Sequence, residues 1–123
     1  MPTNKPEASI HRLLSNLGLC ARARALVFGT PMVCEAMRSA KRPCLVIEAG
    51  DSSDNTHKKL TDKCNFYQIQ HIRLPVSGEE LGAAVGKSSI VAAVAITNEQ
   101  LCKPVLAVWN MLCPSTQSST NND

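Results

Sequence analysis

The stretch Leu81-Gly82-Ala83-Ala84-Val85-Gly86-Lys87, followed by Ser88-Ser89 and Ile90-Val91-Ala92-Ala93-Val94-Ala95-Ile96, decides the fold. It reads as a short helix, a glycine stop, a small polar loop and a wholly apolar strand. Ser77-Gly78-Glu79-Glu80 opens it with a capping-box pattern, in which the Ser77 hydroxyl and the Glu80 carboxylate each satisfy a backbone N–H. The strand has no polar alternation, so it should be buried on both faces, between helices. The spacing of Gly82 and Gly86 fits neither a P-loop nor a dinucleotide fingerprint, and both read as packing and helix-termination residues.

The same grammar repeats upstream. Ile10, Leu13, Leu14 and Leu17 fall at helical spacing, and Gly18 is expected to end that helix. Arg22 and Arg24 belong to a polar connector, and Ala25-Leu26-Val27-Phe28 to a short strand. Gly29-Thr30-Pro31 turns into a helix, with Thr30 as cap and Pro31 at the first helical position, where its missing N–H costs nothing. Val33, Met37 and Ala40 should form that helix's buried stripe, and Pro43 should stop it. Cys44-Leu45-Val46-Ile47-Glu48-Ala49 is a second compact strand. A turn-rich loop, Gly50-Asp51-Ser52-Ser53-Asp54-Asn55, feeds a helix over about 53–65, and Ile69-Gln70-His71-Ile72 is the third core strand. Downstream, Thr97-Asn98-Glu99 starts a last helix in which Pro104 predicts a kink or a second beginning. Strands alternating with helices define an α/β domain with about four core strands and helices on both faces. Length fits one domain over 1–112, with a polar tail over 113–123 expected to be disordered.

Charge is mildly basic, +3 overall. It is also lopsided: up to Lys63 there are ten Lys/Arg against six Asp/Glu, and beyond it three against four. Arg22, Arg24, Arg38, Lys41, Arg42, Lys58, Lys59 and Lys63 carry the excess. A basic face suits a nucleic-acid backbone, because each neutralised phosphate releases counterions, but it also suits an ordinary solvated surface. The six cysteines have no close pair of the zinc-ribbon type and no histidine close by, so Cys34, Cys44, Cys64 and Cys102 read as small buried hydrophobes. His11, His57 and His71 trace no carboxylate–histidine–nucleophile pattern and read as ordinary residues. No cofactor, metal or catalytic residue is expected. No membrane-length apolar run and no hydrophobic leader occur, which points to the cytoplasm.

Three stretches also resemble a known family. They are Leu17-Gly18-Leu19-Cys20-Ala21-Arg22-Ala23-Arg24, the run from Asp51 through Asn55-Thr56-His57-Lys58-Lys59 to Cys64, and Leu81-Gly82 through Gly86-Lys87. In this order and separation they look like the ribosomal L7Ae/L30e family, nearest its bacterial YlxQ-type members. The resemblance covers roughly Leu13 to Leu106. It implies the L30e-like three-layer α/β/α sandwich and RNA binding.

Strong binders of kink-turns, which are sharply bent RNA helices, begin the helix after the Gly-Thr turn with asparagine and glutamate. A lysine follows, and a short apolar loop precedes the last strand. Here Pro31 stands for the asparagine, Met32 for the glutamate and Glu35 for the lysine, and the loop is Lys87-Ser88-Ser89. Pro31 has no side-chain donor or acceptor, Met32 cannot pair a base edge, and Glu35 reverses a charge. Gly29, Thr30, Lys87, Ser88 and Ser89 then remain for RNA, with Arg38, Lys41, Lys58 and Lys59 as phosphate contacts. The resemblance thus implies a small, non-catalytic, monomeric, ribosome-associated protein. It would hold structured RNA, ribosomal or from an mRNA leader, mainly by its backbone. The alternative is a family member that has lost kink-turn binding and serves as a protein-interaction module.

Overall fold

Residues 6–112 are described in a computed structural model of the chain. Their order is α1 (Pro6–Arg22), β1 (Leu26–Phe28), α2 (Thr30–Arg38), β2 (Leu45–Ala49), α3 (Asp54–Tyr67), β3 (Gln70–Leu74), α4 (Gly78–Ala84), β4 (Ala93–Ile96) and α5 (Glu99–Leu112). The expected polar tail lies outside the described residues.

The two unalternating strands occupy the centre of the sheet, whose order is β1-β4-β2-β3. β2 runs antiparallel to β4, with Ile47 opposite Val94, and parallel to β3, with Ile47 opposite Ile72. Every residue of β2 and β4 is buried, but the last strand is shorter than the apolar run suggests: it begins at Ala93, and Ile90, expected within it, is 75% exposed in the loop before it. Alternate side chains go to opposite faces. Leu45, Ile47, Ala49, Val94 and Ile96 join Leu13, Leu17, Leu81 and Val105 in one core cluster under α1, α4 and α5. Val46, Ala93 and Ala95 join Val33, Met37, Leu60 and Cys64 in a second, under α2 and α3. Two cores on either side of one sheet make the three-layer α/β/α sandwich that the patterning implied.

The capping box of α4 forms as read. Glu80 N–H donates to Ser77 Oγ at 3.0 Å, and Ser77 N–H donates to Glu80 Oε1 at 2.9 Å.

Several local expectations are corrected. α1 does not stop at Gly18 but runs on to Arg22. A Cβ at position 18 would stand 2.9 Å from the Ala84 carbonyl oxygen, so this glycine lets the end of α4 approach α1. The cap of α2 is Gly29, not Thr30. Gly29 sits at φ 87°, which glycine adopts without a Cβ penalty, and its carbonyl accepts the first helical bond, from Val33 N–H at 2.9 Å. Thr30 makes no side-chain cap bond. α2 ends at Arg38, well before Pro43, because Ser39 turns to extended backbone, and Ala40 is exposed rather than part of the buried stripe. α5 runs as one helix through Pro104, so no second helix begins there. The Asn98 side chain accepts from the N–H groups of Gln100 and Leu101, and buried Cys102, Val105 and Val108 hold the helix against the sheet.

Candidate functional site

Phe28, the last residue of β1, leads directly into Gly29 and Thr30, so strand pairing positions the start of α2. Gly29 N–H donates to the Ala93 carbonyl at 2.8 Å, which ties this turn to the first residue of β4. The loop before β4 arrives at the same end of the sheet. Lys87 N–H donates to the Gly82 carbonyl at 2.8 Å, and the Lys87 ammonium lies 4.5 Å from the centre of the Phe28 ring. An ammonium over an aromatic face is held by the ring's negative π face. The two segments singled out in the sequence, Gly29-Thr30 and Lys87-Ser88-Ser89, therefore adjoin in space. Ser88 and Ser89 are exposed. Beside them runs a groove lined by Gly18, Ala21, Arg22, Phe28 and the end of α4 through Lys87. Arg22 is exposed at its edge and adds a second cation, which in the sequence is visible only as part of the basic excess.

The other expected contacts are dispersed. Pro31 and Met32 follow in the first turn of α2, with Met32 57% exposed. Glu35 and Arg38 form an exposed ion pair at 3.2 Å, so each offsets the other's charge. Arg38 ends α2, roughly 12 Å along the axis from Thr30 at 1.5 Å per residue, and Lys41 lies beyond it. Lys58 is on α3 and is engaged by Asp62 at 3.1 Å. No contact joins Arg38, Lys41 or Lys58 to the Phe28–Lys87 pair among the described residues.

A separate constellation lies between β2, α3 and β3. Glu48, fully buried, accepts hydrogen bonds from His57 Nδ1 at 2.9 Å and from His71 Nε2 at 2.8 Å on the same oxygen, Oε1. Its Oε2 takes the Ser52 hydroxyl, lies 3.1 Å from His57 Nδ1, and faces Arg73 Nε at 3.6 Å. Burial alone would raise the Glu48 pKa, but the hydrogen bonds from Ser52, His57 and His71 outweigh it and hold the carboxyl below its ordinary value. Burial pushes His71 below its ordinary value, despite the Glu48 carboxylate beside it. The consistent protonation is an ionised Glu48 receiving N–H from a neutral His71. From the sequence alone His57 and His71 read as ordinary, with no carboxylate tied to them; the structure corrects this. The available signal was Glu48 itself, the one charged residue in an apolar strand, since a buried charge requires partners.

The thiols of Cys20, Cys34, Cys44, Cys64 and Cys102 are free. Cys20, Cys64 and Cys102 are buried, and Cys34 and Cys44 are half-buried. Burial is the largest cause raising Cys64 to about 11 and Cys102 to about 12. Among the described residues no helix is long and apolar enough to cross a membrane.

A mixed four-stranded sheet between two helical layers, with a helix-start turn and the preceding-strand loop meeting at one end, defines an L30e-like α/β/α protein. The chain belongs to the ribosomal protein L7Ae/L30e/S12e/Gadd45 family, whose pattern matches residues 11–106. It is 38% identical over 92 residues to a Bacillus subtilis (strain 168) protein named RNA-binding protein YlxQ, covering 75% of this chain and 89% of that one. A protein of the same name from Enterococcus faecium is 31% identical over 81 residues, covering 66% and 77%. A solved structure from Bacillus halodurans C, of a protein with unknown function, superimposes with TM-score 0.72 at 34% identity, over 78% of this chain and 94% of its own. The Giardia lamblia 15.5kD RNA binding protein superimposes with TM-score 0.71 over 91% and 92% of the two chains; at 21% identity this is a likeness of fold.

Proposed function

We propose that this protein binds structured RNA without catalysing a reaction, and that it does so mainly through the RNA backbone. The observation that carries this reading is the junction of Phe28-Gly29-Thr30 with Lys87-Ser88-Ser89, flanked by Arg22. It offers two cations, two serine hydroxyls and the backbone of the α2 entry on one exposed surface. Phosphate oxygens are the natural ligands of such groups. The relatives named RNA-binding protein YlxQ support the same ligand class.

The reading of backbone over base contacts rests on side-chain chemistry. Pro31, Met32 and Glu35 occupy the positions through which strong kink-turn binders of the family read sheared G·A pairs. Proline and methionine offer no base-pairing group, and Glu35 is turned to Arg38. In this reading the protein is a cytoplasmic monomer whose partner is ribosomal RNA or an mRNA leader, on or near the ribosome, and residues 1–112 form its one domain. Arg38, Lys41 and Lys58 contribute peripheral phosphate contacts.

The test is titration of a kink-turn RNA and a plain duplex at two salt concentrations. Both should bind, with affinities that fall steeply with salt, the log–log slope reflecting about 0.9 per phosphate contact. Salt-insensitive, kink-turn-selective binding would overturn the backbone reading. Failure to bind either RNA at low salt would favour the protein-interaction alternative, for which exposed Met32 and Ile90 are the apolar candidates.

A further inference from the structure

A carboxylate in the middle of a central strand is costly unless its oxygens are occupied. Glu48 is 0% exposed and takes its partners from three separate elements: Ser52 after β2, His57 on α3, and His71 and Arg73 on β3. The donor atoms of Glu48, His57 and His71 all lie within 4.8 Å of one another. We propose that these three residues form a binding site for a transition-metal dication of the zinc type, which clamps α3 onto the β2–β3 edge of the sheet.

Two imidazoles and one carboxylate are a donor set suited to zinc and its neighbours, and a poor one for calcium or magnesium, which prefer oxygen alone. The spacing is close to what coordination needs. The His57 and His71 nitrogens are 2.9 and 2.8 Å from Glu48 Oε1. A tetrahedral zinc with bonds near 2.0–2.1 Å sets its donors about 3.3 Å apart. These two pairs have to open by about half an ångström, and the two imidazole nitrogens, within 4.8 Å of each other, settle at the same spacing around the ion. In the metal-free protein the imidazole N–H protons occupy the space between these atoms. On binding, the proton moves to Nε2 of His57 and to Nδ1 of His71, and the freed lone pairs face the ion. Two of the three ligands sit on strands, and the third on a helix capped by Ser53, so little chain must be ordered.

The surroundings of Glu48 fit the role. His71 contacts only Oε1, while Ser52 and Arg73 address Oε2. That division fixes the carboxylate's orientation and leaves Oε1 for the ion, as outer partners of metal ligands commonly do. Arg73 is the adverse feature, since it adds positive charge. It is 3.6 Å from the far oxygen and its side chain is 40% exposed, so water screens it. The His57 side chain is 41% exposed, which gives the ion an entry path and a position for water as fourth ligand.

The experiment uses the full chain, stripped with a chelator and titrated with zinc chloride by calorimetry and with cobalt(II) by absorption. One equivalent of zinc should bind and raise the melting temperature. The cobalt form should show weak visible bands without the intense near-ultraviolet absorption of thiolate ligation. His57→Ala and His71→Ala should each lower zinc affinity at least about tenfold, while Cys34→Ser and Cys44→Ser leave it unchanged. Glu48→Gln tests the carboxylate, and His57→Ala, at a half-exposed helix position, keeps the test valid should Glu48→Gln not fold. The absence of zinc binding at equimolar micromolar concentrations would overturn the proposal. So would binding that survives both histidine variants, or binding through thiolates.

Discussion

The Lys87 ammonium rests 4.5 Å from the centre of the Phe28 ring, so the loop before β4 is pinned beside the residue that leads into α2. The contact spans 59 positions of sequence and brings together two segments that neither carries alone. Replacing Lys87 with Gln removes one cation while keeping the loop polar. RNA affinity should fall for kink-turn and duplex alike, and the slope of log affinity against log salt should shrink by about one. Arg22→Gln should act in the same way. An unchanged slope in both variants would move the interface elsewhere.

Gly18 determines how closely α1 and α4 approach. Alanine there gains about 0.5–1 kcal/mol in helix propensity. Its Cβ, however, would meet the Ala84 carbonyl at 2.9 Å, and overpacking of this kind costs about 1–3 kcal/mol. The clash is the larger effect. Gly18→Ala should lower the urea midpoint, and Gly18→Val should lower it further. A stabilised Gly18→Ala protein would show that the two helices can separate at no cost.

The cysteines should divide by burial. With Cys64 raised to about 11 and Cys102 to about 12, few thiolates exist there at pH 8. In the native protein, iodoacetamide should modify half-buried Cys34 and Cys44 well before Cys20, Cys64 and Cys102, as read by peptide mapping. Equal rates at Cys34 and Cys64 would contradict the packing under α2 and α3.

Acid should weaken the metal-free fold in two stages. The folded pKa of His71 lies below its ordinary 6.5, so below pH 6.5 the unfolded chain takes up a proton that the folded chain refuses, and stability falls with pH. Glu48 lies below its ordinary 4.5 and adds a second loss as pH falls past that value. Glu48 faces Ser52, His57 and Arg73, and His71 feels Glu48, His57 and Arg73, so all of these belong to the same balance. Urea unfolding in chelator from pH 8 to pH 4 should show a declining midpoint starting near 6.5. His71→Gln should flatten the first stage. Stability that rises on acidification through this window would reverse the assignment.

The linear sequence by itself determined the order of helices and strands, the doubly buried β2 and β4, and the capping box at Ser77 and Glu80. These follow from periodicity and from hydrogen bonds that close within four residues, so the information is local. Helix ends were legible only in part. Gly18 carries the same symbol whether it terminates a helix or admits a neighbour, and only the position of Ala84 decides between them. Gly29 took the cap from Thr30 because β1 delivers the chain at positive φ, which the strand's pairing with β4 sets. The tertiary structure alone decided that Phe28 meets Lys87, and that Glu48 meets His57 and His71. Those partners come from different elements, and nothing in a one-dimensional pattern encodes which side chains a folded sheet and its helices will bring into contact.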